Sequence, residues 1–239
     1  MKKVIALAMT VLLLLVLTVP TFAVEANTAT VLYTANQIVD PNMLMMRAEL
    51  GIDERSDEAK AAFTISTCLP GQLNLAKNED VSVTTQLIGV EVLPDGTKTE
   101  EYATTVVTRG IIGTYEDSET GSESGYSITA YATLNYKYQV DDSLGAHFMI
   151  KNTQHRVLYP SSVDVTKMDM YNEMQDEIDA RFYNSRSVSS PANGMNYLLT
   201  HSASTYIPKL AATMYAVTTA HLDNGNTVQA SLKIVAEEM

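Results

Sequence analysis

The chain has 239 residues, 46% of them hydrophobic and 18% charged, with one Cys, no Trp and a formal net charge of −12. That balance supports a packed core and excludes both an intramolecular disulfide framework and a multi-cysteine metal site. With 16 basic side chains against 28 acidic ones, it also argues against nucleic acid and against a polybasic grip on anionic lipid, which draw their affinity from Lys and Arg.

Lys2 and Lys3 precede an apolar run from Val4 to Val19, which Pro20 ends. Thr21-Phe22-Ala23 then supplies small residues where a signal peptidase cuts, and Val24-Glu25-Ala26 offers a second cut. Residues 1–23 are expected to be a signal peptide, removed after Ala23. The run falls short of the roughly 20 apolar residues of a spanning helix, so no stable membrane anchor is expected after cleavage. No Cys follows to carry an N-terminal lipid. The expected location is extracellular. A lone Cys and the absence of any Asn-x-Ser/Thr sequon fit a bacterial source. Loss of the two lysines would leave 14 basic and 28 acidic side chains, net −14.

Residues 24–75 read as a partly helical N-terminal segment. Asp40 is an N-cap, Pro41 suits the first helical position and Gly51 lies past the end. Ser56 to Phe63 suits a second short helix. Residues 76–239 read as a β-sandwich domain. Val81 and Val83 have one parity and Ile88, Val90 and Val92 the other, which places a bulge near Thr85 to Leu87. Pro94-Asp95-Gly96 turns the chain into a strand over about Tyr102 to Tyr115, and an acidic loop, Glu116 to Gly125, follows. From Tyr126 to Val140 every even position is apolar, a period of two over fifteen residues that a helix cannot produce.

Shorter strands are expected at Ala146–Lys151 and His155–Tyr159, around a turn at Asn152-Thr153. Tyr171, Met174, Ile178 and Phe182 recur at helical spacing, so Asp169 to Phe182 is a helix candidate; a strand continuing from Val163 and Val165 is the other reading. A long loop is expected over Tyr183–Gly194 and a strand over Asn196–Ile207. Asp223-Asn224-Gly225-Asn226 is a hairpin signature between Ala212–Leu222 and Thr227–Val235. The expected fold is mostly β: an antiparallel two-sheet sandwich, Ig-like in the broad sense, with a short partly helical N-terminal segment. A β-barrel is the alternative, favoured if the fifteen-residue strand stays unbroken.

No reactive template matches. Cys68 lies in Thr-Ile-Ser-Thr-Cys-Leu-Pro without a feature that would lower a thiol pKa, so it reads as a small core residue. His147, His155, His201 and His221 form no metal motif and read as surface histidines. Tyr136 and Tyr138 read as core with Tyr126, whereas Tyr131 reads as an isolated surface aromatic. The Glu116–Glu123 loop offers hard oxygens suited to calcium but departs from the EF-hand order, and a solvated loop is the simpler reading. No catalytic, cofactor-binding or metal residue is assigned, and no cofactor.

The expected function is a secreted, non-enzymatic binding or structural module with an unknown extracellular or cell-envelope partner. One alternative is a secreted hydrolase using carboxylates or a Cys68–His pair. Another is a toxin or bacteriocin-like effector with Met43–Met46 and Met174 as membrane-seeking residues, which the acidic charge opposes.

Overall fold

The computed structural model describes residues 28–67, 80–116, 123–141, 145–175, 181–200, 207–208 and 213–237. Expectations for the signal peptide, Cys68, His201 and the centre of the acidic loop fall outside these residues.

Local chemistry sets the two helices. Asp40 Oδ1 accepts the Met43 amide at 2.9 Å, and Pro41 occupies the first turn of α1 (Pro41–Glu49). Past its end Gly51 takes φ +63°, a conformation that costs other residues more. Ser56 Oγ accepts the Ala59 amide at 3.1 Å and caps α2 (Asp57–Ala62). Both helices lie where their capping residues predict them.

Among the described residues there are twelve strands: β1 (Thr30–Thr34), β2 (Phe63–Thr67), β3 (Asp80–Val92), β4 (Lys98–Glu116), β5 (Glu123–Asp141), β6 (Gly145–Leu158), β7 (Val165–Gln175), β8 (Arg181–Ser189), β9 (Tyr197–Thr200), β10 (Ile207–Pro208), β11 (Thr213–Leu222) and β12 (Thr227–Ala236). The larger sheet runs β1-β3-β4-β5-β6-β10, with β9 also on β6, and the smaller runs β2-β12-β11-β7-β8. All these pairings are antiparallel. The sheets pack face to face as a sandwich. The fifteen-residue alternation lies within one unbroken β5, yet no closed barrel forms, because the larger sheet keeps open edges. The segment before residue 76 gives one strand to each sheet: β1 pairs with β3, and β2 with β12.

Alternation fills the space between the sheets. Ile128, Ala130, Ala132, Leu134, Tyr136 and Tyr138 face Met168, Met170, Met214, Ala216, Val228 and Leu232 within a single buried cluster. Phe63 sits among Tyr102, Tyr136, Tyr138 and Phe148, with ring centroids 5.1–6.5 Å apart and edge-on. Edge-to-face contacts of this kind add about 0.5–1.5 kcal/mol per pair beyond burial. The sheets come so close at Gly110 that a Cβ there would meet a Val228 methyl at 2.9 Å.

Several expectations need correction. The described parts of the helix proposed over Asp169–Phe182 are strand instead: β7 runs to Gln175 and pairs with β11 on one side and, on the other, with β8, which holds Arg181 and Phe182. Met168, Met170 and Met174 point inward at period two, and the inward Asn172 disguised that alternation. Strand β8 takes most of the loop expected after it. Instead of a turn at Asn152-Thr153, β6 continues through a register shift at Lys151. The bulge in β3 falls at Ile88, one step beyond its expected place.

Tyr131 is not a surface aromatic. It is 2% exposed, packed with Leu44, Ala48 and Val107 beneath α1 on the outer face of the larger sheet. Its hydroxyl donates to the Pro41 carbonyl at 3.3 Å, and burial pushes the phenol up to about 12. Residues 35–40 strap across that face: Ile38 N donates to Gln86 Oε1, Gln154 Nε2 to Gln37 Oε1 and Arg156 Nη1 to the Val39 carbonyl.

Candidate functional site

The three described histidines occupy three different environments. His155, expected at the surface, is fully buried, and His147 nearly so. The Lys151 bulge flips the parity of β6, so that Thr153, His155 and Val157 face inward after Phe148 and Ile150.

His155 joins the two sheets. Its Nδ1 lies 2.8 Å from Thr218 Oγ1 on β11, and its Nε2 lies 2.7 Å from Thr153 Oγ1. Thr218 Oγ1 is also 2.7 Å from the Tyr131 carbonyl. A carbonyl only accepts, so the Thr218 hydroxyl donates to it and must accept from Nδ1–H. Nε2 is then bare and takes the Thr153 hydroxyl proton. Thr153 Oγ1 accepts in turn from Asn172 Nδ2 on β7 at 3.1 Å, and that amide also donates to the Leu199 carbonyl at 3.3 Å. The hydrogen bonds run one way from Asn172 to Tyr131 and fit a neutral imidazole. Burial holds the His155 pKa down to about 3. A group that cannot gain a proton and meets no solvent does not act as a general base.

His221 lies on the outer face of the smaller sheet, its Nε2 2.7 Å from Asp169 Oδ2. Lys167 Nζ reaches the same oxygen at 2.8 Å, and Ser187 Oγ donates to Oδ1. Burial alone would raise the Asp169 pKa, but hydrogen bonds from Lys167, Ser187 and His221 outweigh it and leave it lowered. The residue types are those of a serine hydrolase, in the wrong order. Such an enzyme sets imidazole between hydroxyl and carboxylate. Here the carboxylate stands in the middle, and His221 has no hold on the Ser187 proton.

A third polar cluster fastens the N-terminal segment to the open side of the sandwich. Arg55 grips Asp53 through Nε at 3.0 Å and Nη2 at 2.8 Å, donates from Nη1 to the Phe63 carbonyl and lies over the Phe63 ring. Ser56 Oγ and the Tyr102 hydroxyl donate to Glu100 Oε2 at 2.8 and 2.5 Å, while Lys98 pairs with Oε1 at 2.7 Å. Burial would raise the Glu100 pKa, but these three partners outweigh it and keep the carboxylate charged. Every donor there points at a partner that the fold itself needs.

Among the described residues no group of three or more His, Cys, Asp or Glu is arranged to hold a metal ion. Only the strand ends Glu116 and Glu123 of the acidic loop are described, so calcium finds no described ligand set there.

Unsatisfied surface lies at the outer edge of the larger sheet. All five residues of β1 are exposed, Val31 by 64% and Leu32 by 62%, and a register shift at Leu32 kinks the strand against β3. Beside it a groove of about 310 Å³ is lined by Val31, Tyr33, Asn36, Gln37, Gly89 and Glu91. Lys137 pairs with Glu91, and Lys151 with Glu101 at the groove's far wall. Exposed Met43, Met46 and Leu50 add an apolar stripe on α1. The expected elements did not include this strand, because β1 is short and lies in the segment that reads as helical. Its signal was the uncharged β-prone run from Thr28 to Val39.

The fold and this edge define the chain as a two-sheet β-sandwich with an open apolar border. Comparison with protein-family models, curated proteins and solved structures finds no match.

Proposed function

We propose that this chain is an exported, non-enzymatic binding module that meets an extracellular or cell-envelope partner through the β1 edge. The observation that carries this reading is β1 itself: an uncharged strand with Val31, Leu32 and Tyr33 all exposed, at the border of a large sheet. Free backbone donors and acceptors along such an edge favour addition of another strand. The polar clusters support the same reading, since His155 is sealed, Asp169 separates Ser187 from His221, and Glu100 is committed to Ser56, Tyr102 and Lys98. The leader-like residues 1–23 supply the route out of the cell.

Fractionating the producing cells tests both halves. The chain is expected to begin at Val24 and to be retained on washed cell envelopes. Leu32→Lys is expected to lower that retention several-fold, and Asp169→Asn to leave it unchanged. An intact Met1 on cytoplasmic protein, or hydrolysis of an ester, glycoside or peptide that Asp169→Asn abolishes, overturns the reading.

A further inference from the structure

We infer that the partner fitting β1 is a second copy of this chain, joined by antiparallel pairing of the two β1 strands about a twofold axis. The inference rests on the reading above only in taking β1 as the working edge, for which a second copy and an envelope partner compete.

Sequence symmetry is the first argument. Thr30-Val31-Leu32-Tyr33-Thr34 reads much the same in both directions about Leu32. Antiparallel pairing with Leu32, the residue that the register shift leaves out of the β3 pairing, opposite its copy sets Val31 against Tyr33 and Thr30 against Thr34. Aromatic against β-branched and Thr against Thr are both favourable cross-strand pairs. The contact is self-complementary, so it closes at two copies and does not propagate.

Charge is the second argument. Two copies of a chain carrying −12 repel over most of their surfaces. From Thr28 to Val39 there is no charged side chain, so at this border two copies meet without opposing like charges. The border at β8 differs: exposed Arg186 on each copy would be brought together there.

Topology is the third. Among the described residues β1 pairs with β3 alone, which leaves its other side open. Pairing there would run the two larger sheets into one. Five residues a side is a small contact beside the roughly 1,000 Å² of a stable interface, so the dimer is reversible and depends on concentration.

Sedimentation velocity on the protein as recovered from its producing cells, from low micromolar to near-millimolar concentration, tests this at low and high salt. The expected result is a monomer–dimer equilibrium that strengthens with salt, as screening relieves the repulsion between acidic copies. Leu32→Lys places two cations face to face and is expected to weaken association by about tenfold or more, with an unchanged melting temperature because Leu32 is exposed. Leu32→Cys in a Cys68→Ser background is expected to give a disulfide-linked dimer on mild oxidation. A monomer at every concentration and salt overturns the inference. So does a dimer that Leu32→Lys leaves intact, or one that Leu32→Cys fails to cross-link. A strictly monomeric chain still held by envelopes through β1 would sink the dimer and leave the binding module standing. A β1-dependent dimer found only in the cytoplasm with Met1 intact would do the reverse.

Discussion

His155 and His221 each belong to a cluster of hydroxyl and Asx side chains, and they show opposite physical chemistry. His155 lies between the sheets, where every neighbour is buried and the directions of its hydrogen bonds are fixed by one carbonyl. His221 and Asp169 lie on the outer face, each about one-third exposed and close to the exposed cation of Lys167. Buried, the imidazole is a neutral joint between layers; half-exposed, it joins a screened surface pair. Residue type is common to both, and burial decides what each does.

Removing the joint should produce the largest effect. His155→Ala leaves a cavity and strips Thr218 and Thr153 of their partner, so it is expected to cost about 3–5 kcal/mol and lower the thermal midpoint by on the order of 10 °C. Calorimetry would show it, and a loss under about 1 kcal/mol would mean that His155 fills space without joining the sheets.

Acid should then probe the joint without mutation. The folded pKa of about 3 lies below the ordinary 6.5, so between these values the unfolded chain takes up a proton that the folded chain refuses. Stability from this residue is whole above pH 6.5 and is lost as pH falls toward 3, by about 1.4 kcal/mol per pH unit. Urea titrations between about pH 6.5 and 5.5 sample it where carboxylates with ordinary values near 4 stay mostly charged, and the difference from a His155 variant assigns the slope to this residue. His155→Gln should flatten that slope.

The outer pair should matter least. Asp169→Asn and His221→Ala are each expected to change stability by less than about 1 kcal/mol, and by less again in high salt. A loss as large as that of His155→Ala, measured by the same calorimetry, would erase the contrast between the two sites.

Much of the architecture is legible in the sequence where one cause acts alone. Strand β5 alternates cleanly because its inward positions from Ile128 to Tyr138 are all apolar, and α1 is announced by Asp40, Pro41 and Gly51. Legibility fails where a second cause intervenes. Asn172 takes an inward place in β7 to serve the His155 network, and so breaks the apolar period that would have named the strand. Tyr131 has outward parity and is buried all the same, because a helix nearly a hundred residues away in sequence lies across it. His155 shares its parity with Val157, a sign of burial that shows only once the Lys151 bulge is known. The β1 edge is legible as β-prone composition, but its position at the border depends on pairing with β3, which no local pattern encodes.

Strand β2 binds β12 from Phe63↔Ala236 to Thr67↔Leu232, and among the described residues it has no other strand neighbour. The smaller sheet therefore cannot be completed until Thr227–Ala236 has left the ribosome, and its first strand waits for its last. Removing Leu232–Ala236 would leave β2 without a strand neighbour among the described residues, and Phe63 would keep its ring contacts while losing its backbone pairing with Ala236.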